Sequence, residues 1–331
     1  MEFFINIFLL TGTIIGAGIF SLPAILSHTG VYFYLLLAGL AFISAYLGIK
    51  YRFLINKTKA DDQMPAYLSK ALGKKWGTTS LILFTLSLIG ALTSYLLLIQ
   101  EQLGSVYLFL GLTWSILILD LKQIKKFDSI LTICLMLLVI MLIVSSKNIN
   151  LNIVGTTTSI KYLIKAFGVI LFSLTGFSVI PELSKSGKPN LSIKTTYFLV
   201  SIIYIIFAST VNTEDKNLIL DSVVFFAVIT SYIPMSFVLE EVFIKDLKIQ
   251  KTPAKLTTLI LPVIIAFYGI KDFITALSIT GGVFIALLQI LIISAYLKLK
   301  KKLLISEKII LYLSIGVFAI ASLAEIILYF I

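Results

Sequence analysis

Gly12, Gly16 and Gly18 lie inside the first apolar stretch of the chain, TGTIIGAGIFSLP, and Pro23 follows the last of them by five residues. A second stretch, AFGVILFSLTGFSVIPEL (Ala166 to Leu183), places Ser173-Leu174-Thr175-Gly176 at its middle, with Pro181 five residues after the glycine. In a segment surrounded by lipid, the chemistry such residues offer is that of the main chain. A helix that unwinds there frees N–H donors at the start of one half and C=O acceptors at the end of the other, two poles of opposite sign close together. A zwitterion matches those poles. Its carboxylate would meet N–H groups around Ala17, Gly18 and Ile19, and its ammonium would meet carbonyls around Phe172, Ser173 and Leu174. Ile15, Gly16, Thr175 and Gly176 complete the two interrupted stretches. Phe20, Phe172 and Phe177 flank them and can line an apolar side-chain pocket, and the Tyr95 hydroxyl is a further candidate, on a slim helix face with Ser87, Ala91 and Ser94. Each feature also has a plainer reading. Gly12-x-x-x-Gly16 is a small-residue face on which a second helix can pack, and aromatics fill cores.

Other reactive residue types are sparse. One Cys (Cys134) and one His (His28) leave no intramolecular disulfide and no multi-histidine or thiolate metal site. Asp61-Asp62 is a loop pair that a metal-dependent membrane transferase could use, but lysines surround it. Glu182 is a candidate gate partner for a lysine such as Lys185, and Glu325 is expected to snorkel to the outer surface with no role. No acidic residue sits at the middle of either interrupted stretch or of the apolar run from 218 to 242, which points to neutral rather than cationic ligands.

The elements that must carry these residues are transmembrane helices. Hydrophobic residues make up 59% of the 331 and charged residues 13%, too few to cover a water-soluble surface. About 20 apolar residues span the hydrocarbon core. That length gives eleven candidate spans: 3–27, 31–55, 78–100, 104–120, 129–146, 162–183, 195–212, 218–242, 256–270, 272–297 and 308–330. The first has no basic leader or small-residue cleavage site and reads as a retained span. Of the 27 basic residues, 22 fall in the loops after even-numbered spans or at the span ends beside them and 5 in or beside the others, which places the N-terminus in the cytoplasm and the C-terminus outside. The net charge of +11 is thereby explained by topology, and nucleic acid is not expected as a partner. The loop from Asn56 to Gly77 is the longest and has room for a short helix on the membrane surface.

The two interrupted spans are the first and the sixth. Five spans separate them, an odd number, so the second unit enters the membrane from the opposite side. An all-α polytopic fold follows: one transmembrane domain with an inverted repeat of five plus five helices (1–146 and 147–303) and an additional helix (304–331). Paired interruptions of this kind mark a transport site.

GTIIGAGIFSLP and FGVILFSLTGFSVIPE resemble the first and sixth helices of the amino acid/auxin permease family, within the amino acid–polyamine–organocation superfamily that shares the leucine-transporter fold. IGALTSYLLLIQEQL, FFAVITSYIPMSFVLEEVFIKDL and LPVIIAFYGIKDFITALSITGG are similar to its third, eighth, and ninth and tenth helices. The resemblance implies secondary transport of a neutral amino acid across the cell membrane by alternating access, without enzymatic activity or an organic cofactor. It also implies a sodium site built from carbonyls of Gly12, Ile15 and Ala227 and hydroxyls of Thr230 and Ser231. Residues 227, 230 and 231 share a helical face, as such a site needs. Gly12 stands where some family members carry asparagine, so Na⁺, H⁺ and no coupling ion are all open. Two rivals stand beside transport: a sensor that keeps the fold and binds an amino acid without turnover, and a polytopic membrane transferase, which would want acidic or histidine clusters at the membrane surface.

Overall fold

A computed structural model describes residues 2–58, 63–117, 137, 139–144, 159–183, 188–211 and 218–330. Every regular element among them is helical, as a chain in lipid requires when it must satisfy its backbone internally. The first span is two helices. α1 (Glu2–Ile14) stops at Ile15-Gly16, the chain makes a 3₁₀ turn over Ala17–Ser21, and α2 (Leu22–Thr29) continues at a bend of 52°. Pro23 sits in the first turn of α2, where its missing N–H leaves no bond unmade.

α3 (Val31–Thr58), α4 (Met64–Leu72), α5 (Lys74–Leu103) and α6 (Tyr107–Leu117) follow. α5, 30 residues long, ends where Gly104 takes the left-handed conformation at φ 68. The stretch expected as the sixth span is also split, into α7 (Ile160–Ser173) and the single turn α8 (Ile180–Leu183). α9 (Pro189–Thr210) and α10 (Leu218–Glu241) come next, the latter running into a π-helical turn over Val242–Asp246. After α11 (Lys251–Tyr268), α12 (Phe273–Ile279) loosens into a π segment over Thr280–Ile285 before α13 (Ala286–Leu299) and α14 (Ile305–Phe330).

Hydrophobic burial does not hold helices together in lipid, so their buried faces carry small and hydroxylic residues. Ser80, Thr93, Ser94, Ser173, Ser192, Thr196 and Ser278 are all buried, while Phe4, Phe8, Leu35, Phe42, Phe198 and Ile320 face outward. Most buried hydroxyls bond the carbonyl three or four residues back, as Ser94 does to Gly90 at 2.7 Å and Ser236 to Tyr232 at 2.8 Å.

The expected spans and the observed helices differ in count. Among the described residues six helices are long and apolar enough to cross a membrane, seven if the bent α1–α2 pair is one span. The expected eleven included the interrupted sixth span, which falls into pieces too short to count. They also included 256–270, whose helix α11 carries Lys251 and Lys255 among its 18 residues. Residues 118–120, most of 129–146 and the boundary at 146/147 lie outside the described residues, as do Asp61, Asp62 and Cys134. The short helix expected between the second and third spans exists as α4, but it does not lie loose on a surface. Met64, Tyr67, Leu68 and Ala71 are buried, and α4 packs against α5 and α13, with Lys298 Nζ donating to the Leu72 carbonyl at 3.3 Å.

At this end of the bundle α3, α13 and α14 meet through charge. Lys50 pairs with Glu307, Tyr296 donates its hydroxyl to the same carboxylate at 2.6 Å, and Lys300 lies 3.2 Å from it. A cavity of about 310 Å³ opens beside them, with Arg52 and Asn190 on its wall, but no residue of the two interrupted stretches lines it. It is a cleft away from the place where the breaks meet. Replacing Lys300 by methionine is expected to cost no more than about 1 kcal/mol in a denaturation measurement, because Lys50 keeps Glu307 paired and Lys300 is partly exposed.

Candidate binding site at the two interrupted helices

The two interruptions touch. Gly18 lies so close to Ser173 that a Cβ added to it would stand 2.7 Å from Ser173 Oγ, and a Cβ on Gly176 would stand 2.7 Å from Ile14 Cγ1. Ser173 Oγ reaches the carbonyls of Gly18 at 3.1 Å and Val169 at 2.9 Å, tying the first break to the second. Only a residue without a side chain allows that approach.

The local backbone explains which polar atoms are available. Gly16 is extended (φ −123, ψ −156), and the first bond of the 3₁₀ turn runs from Ile19 N–H to the Gly16 carbonyl at 3.3 Å. The N–H groups of Ala17 and Gly18 precede that bond and have no acceptor within the turn, the ordinary condition of a helix start. On the other side α7 ends at Ser173. Phe172 O accepts from Thr175 N at 2.9 Å, whereas Ser173 O and Ile14 O, the last carbonyls before each break, both face one side chain. That side chain is Tyr204 of α9, fully buried, whose hydroxyl lies 2.9 Å from Ile14 O and 2.7 Å from Ser173 O. A phenol has one proton, so it can satisfy one of these carbonyls at a time.

Tyr204 did not stand out in the sequence. The available signal was the pair Tyr197 and Tyr204, seven residues apart in an otherwise apolar segment and hence on one helical face, and both are buried.

The remaining expected residues are placed as follows. Ile15, Ala17, Ile19, Phe20, Leu174 and Phe177 are buried around the breaks. The Phe172 ring meets Tyr95 edge-on at 6.3 Å, Phe20 meets Phe207 at 5.6 Å, and Phe177 meets Tyr51 at 5.8 Å. Tyr95 donates its hydroxyl to Met235 Sδ at 3.7 Å. Thr175 is half-buried and back-bonds Leu171 O at 3.0 Å. Ser231 comes to the first break, since a Cβ on Gly16 would stand 2.6 Å from its Oγ, while Thr230 Oγ1 donates to Ala227 O at 2.9 Å within α10.

Gly12 is half-buried on α1. Glu182 is exposed, and Lys185 lies outside the described residues. His28 is exposed at the end of α2 and stacks on Tyr162 at 4.3 Å. Glu325 is corrected outright. It does not snorkel to a surface but is fully buried, because α14 turns that face inward against the π segment and α7.

No family model matches the chain, and no curated protein matches it. Solved structures do. The chain is similar to the manganese transporter of Eremococcus coleocola, in a crystal structure with an aromatic bis-isothiourea substituted compound, with a TM-score of 0.64 at 12% identity over 97% of this chain and 85% of that one. It is also similar to MhsT in complex with L-phenylalanine, with a TM-score of 0.61 at 16% identity over 98% of both chains. These likenesses establish the fold: the chain is an all-helical, multi-pass membrane protein of the leucine-transporter type.

Proposed function

We propose that this protein is a secondary transporter of neutral amino acids in the cell membrane. It would work by alternating access in an inverted five-plus-five bundle with the N-terminus inside, and it belongs with the amino acid/auxin permeases. The observation that carries the reading is the meeting of two broken helices at Gly18 and Ser173. The N–H groups of Ala17 and Gly18, which have no acceptor within the turn, would meet a carboxylate, and the carbonyls of Ile14 and Ser173 would meet an ammonium that takes the place of the Tyr204 hydroxyl. Phe20, Phe172, Phe177 and Tyr95 supply apolar surface for a side chain. Ile15, Gly16, Ile19, Leu174, Thr175 and Gly176 complete the proposed substrate-binding set.

Of these two structures similar in fold, one is a manganese transporter and the other holds L-phenylalanine. The amino acid reading fits this chain better. Among the described residues no three His, Cys, Asp or Glu side chains come together, and a divalent cargo wants such a donor set. A monovalent ion asks for less. A sodium ion among Gly12, Ile15, Ala227, Thr230 and Ser231 is supported by the approach of Ser231 to Gly16.

The test is uptake of radiolabelled alanine, leucine and tryptophan into proteoliposomes, with and without a sodium gradient. Accumulation of at least one above protein-free vesicles is expected, and stimulation by sodium would support that ion site. Saturable binding without uptake would turn the reading to a sensor. Neither binding nor uptake would end it.

A further inference from the structure

Glu325 is a carboxylic acid buried where nothing in the transport reading above uses it. It sits on α14 in a notch cut by glycines: a Cβ on Gly282 would lie 2.6 Å from its Cγ, and one on Gly168 would lie 2.9 Å from its Oε1. Ser278 donates to Oε1, while Oε2 is buried and has no hydrogen-bond partner among the described residues. One turn before it, Ser322 donates to the Gly282 carbonyl at 2.9 Å, fixing α14 against the π segment. That segment is itself a departure from regular helix of the kind that recurs at functional sites.

The charged and titratable neighbours are few. From α7 the cation whose field reaches Glu325 is Lys165. Its Nζ donates instead to Thr275 Oγ1 at 3.1 Å and lies 5.5 Å over the ring of Tyr329, one turn beyond Glu325 on α14. From α12 and the π segment, the Ser278 hydroxyl and the Gly282 position meet Glu325. Asp272 caps α12 through Thr275 N–H at 2.8 Å, and Tyr296 and Lys298 lie at the far end of α13. Lys161 and Tyr162 are exposed on α7 beyond Lys165, Tyr162 being stacked with His28.

A helix staple alone would be served by an amide, and it would not leave an oxygen without a partner. An ionised carboxylate at this place would be expected to draw Lys165 away from Thr275 into an ion pair, and no such pair is formed. We infer that Glu325 is a proton-binding site of the transport cycle, reached from the half-buried Lys165–Thr275 side and read by α7. With the proton on, Lys165 rests on Thr275 as seen. With it off, Lys165 is drawn to the carboxylate, and the pull falls on α7, which runs from Gly168 at the Glu325 notch to Ser173 at the substrate break. The inference rests on the transport reading for its role, but not for the existence of the proton site.

Two measurements keep these apart. In proteoliposomes, an inward proton gradient without sodium should raise uptake of the preferred amino acid on the order of tenfold in the wild type. Glu325→Gln, which can keep the Ser278 bond, should lose that stimulation yet retain exchange of labelled for unlabelled substrate, and His28→Gln should keep it. Full stimulation in Glu325→Gln would overturn the role in coupling. Independently of transport, an infrared pH titration of the protein in lipid should show a protonated carboxylic acid band that is absent in Glu325→Gln. No such difference would overturn the proton site whether or not the protein moves amino acids. A clear band with no uptake in the wild type would leave the site standing and remove the transport reading.

Discussion

Gly18→Ala is expected to cut substrate uptake by roughly 5- to 150-fold, while Gly39→Ala leaves it at the wild-type level. The new methyl group at position 18 would stand 2.7 Å from Ser173 Oγ and 3.2 Å from Ser173 Cα, both inside van der Waals contact. Ser173 cannot swing aside freely, because its hydroxyl lies within donating distance of the Gly18 and Val169 carbonyls and would lose both acceptors. The breaks must therefore move apart. Overpacking of this kind costs about 1–3 kcal/mol, which is the stated range when it falls on the bound state. Gly39 lies in the regular helix α3 with nothing within 4 Å of its Cβ position, so it reports the effect of a glycine-to-alanine change where no contact is made. A double variant, Gly18→Ala with Ser173→Ala, removes the nearest obstacle but leaves the Ser173 backbone in the way, so partial recovery is expected. Initial rates of uptake, normalised to protein folded by size-exclusion elution, decide the matter. Equal rates for Gly18→Ala and Gly39→Ala would mean that the contact between the breaks plays no part in binding.

What the sequence made legible and what it hid divide along a physical line. The break at Ile15-Gly16 could be read because glycines weaken a helix wherever it is placed, and Ser173-Leu174-Thr175-Gly176 could be read the same way. Tyr204 could not be singled out, because its role exists only once α9 lies across the ends of α1 and α7.

Glu325 shows the limit of hydropathy in another form. Distance from the chain end measures depth along the bilayer normal, but whether a side chain faces lipid or protein is a lateral question. That question was settled by the close approach of Gly168 and Gly282. Lys50 and Glu307 illustrate the same point, since 257 residues separate partners that share one ion pair. α4 was legible as a short helix, but its burial against α5 was not, because Met64, Tyr67 and Leu68 read equally well as a face for the membrane surface.

Tyr204→Phe tests whether the phenol is a stand-in for the substrate's ammonium or a structural pin. Removing the oxygen leaves Ser173 O without the 2.7 Å partner it has now, and Ile14 O with only the Gly16 N–H at 3.0 Å. A buried group so deprived costs about 1–3 kcal/mol, and water cannot repair the loss cheaply beneath a side chain that is fully buried. The substrate-free protein should therefore be destabilised by that amount in a denaturant titration. If an ammonium binds where the hydroxyl now donates, a saturating amino acid restores the missing donor, and the variant should be stabilised by ligand more than the wild type is. Affinity then rises as stability falls. Phenylalanine keeps the ring, so packing against Ile14 and Ser173 changes little and the oxygen alone is tested. A pin without a role in binding gives the opposite pattern: the same loss of stability with and without ligand, and an unchanged increment on binding. The second pattern would move the ammonium away from Ile14 and Ser173, and with it the orientation assigned to the substrate between the two breaks.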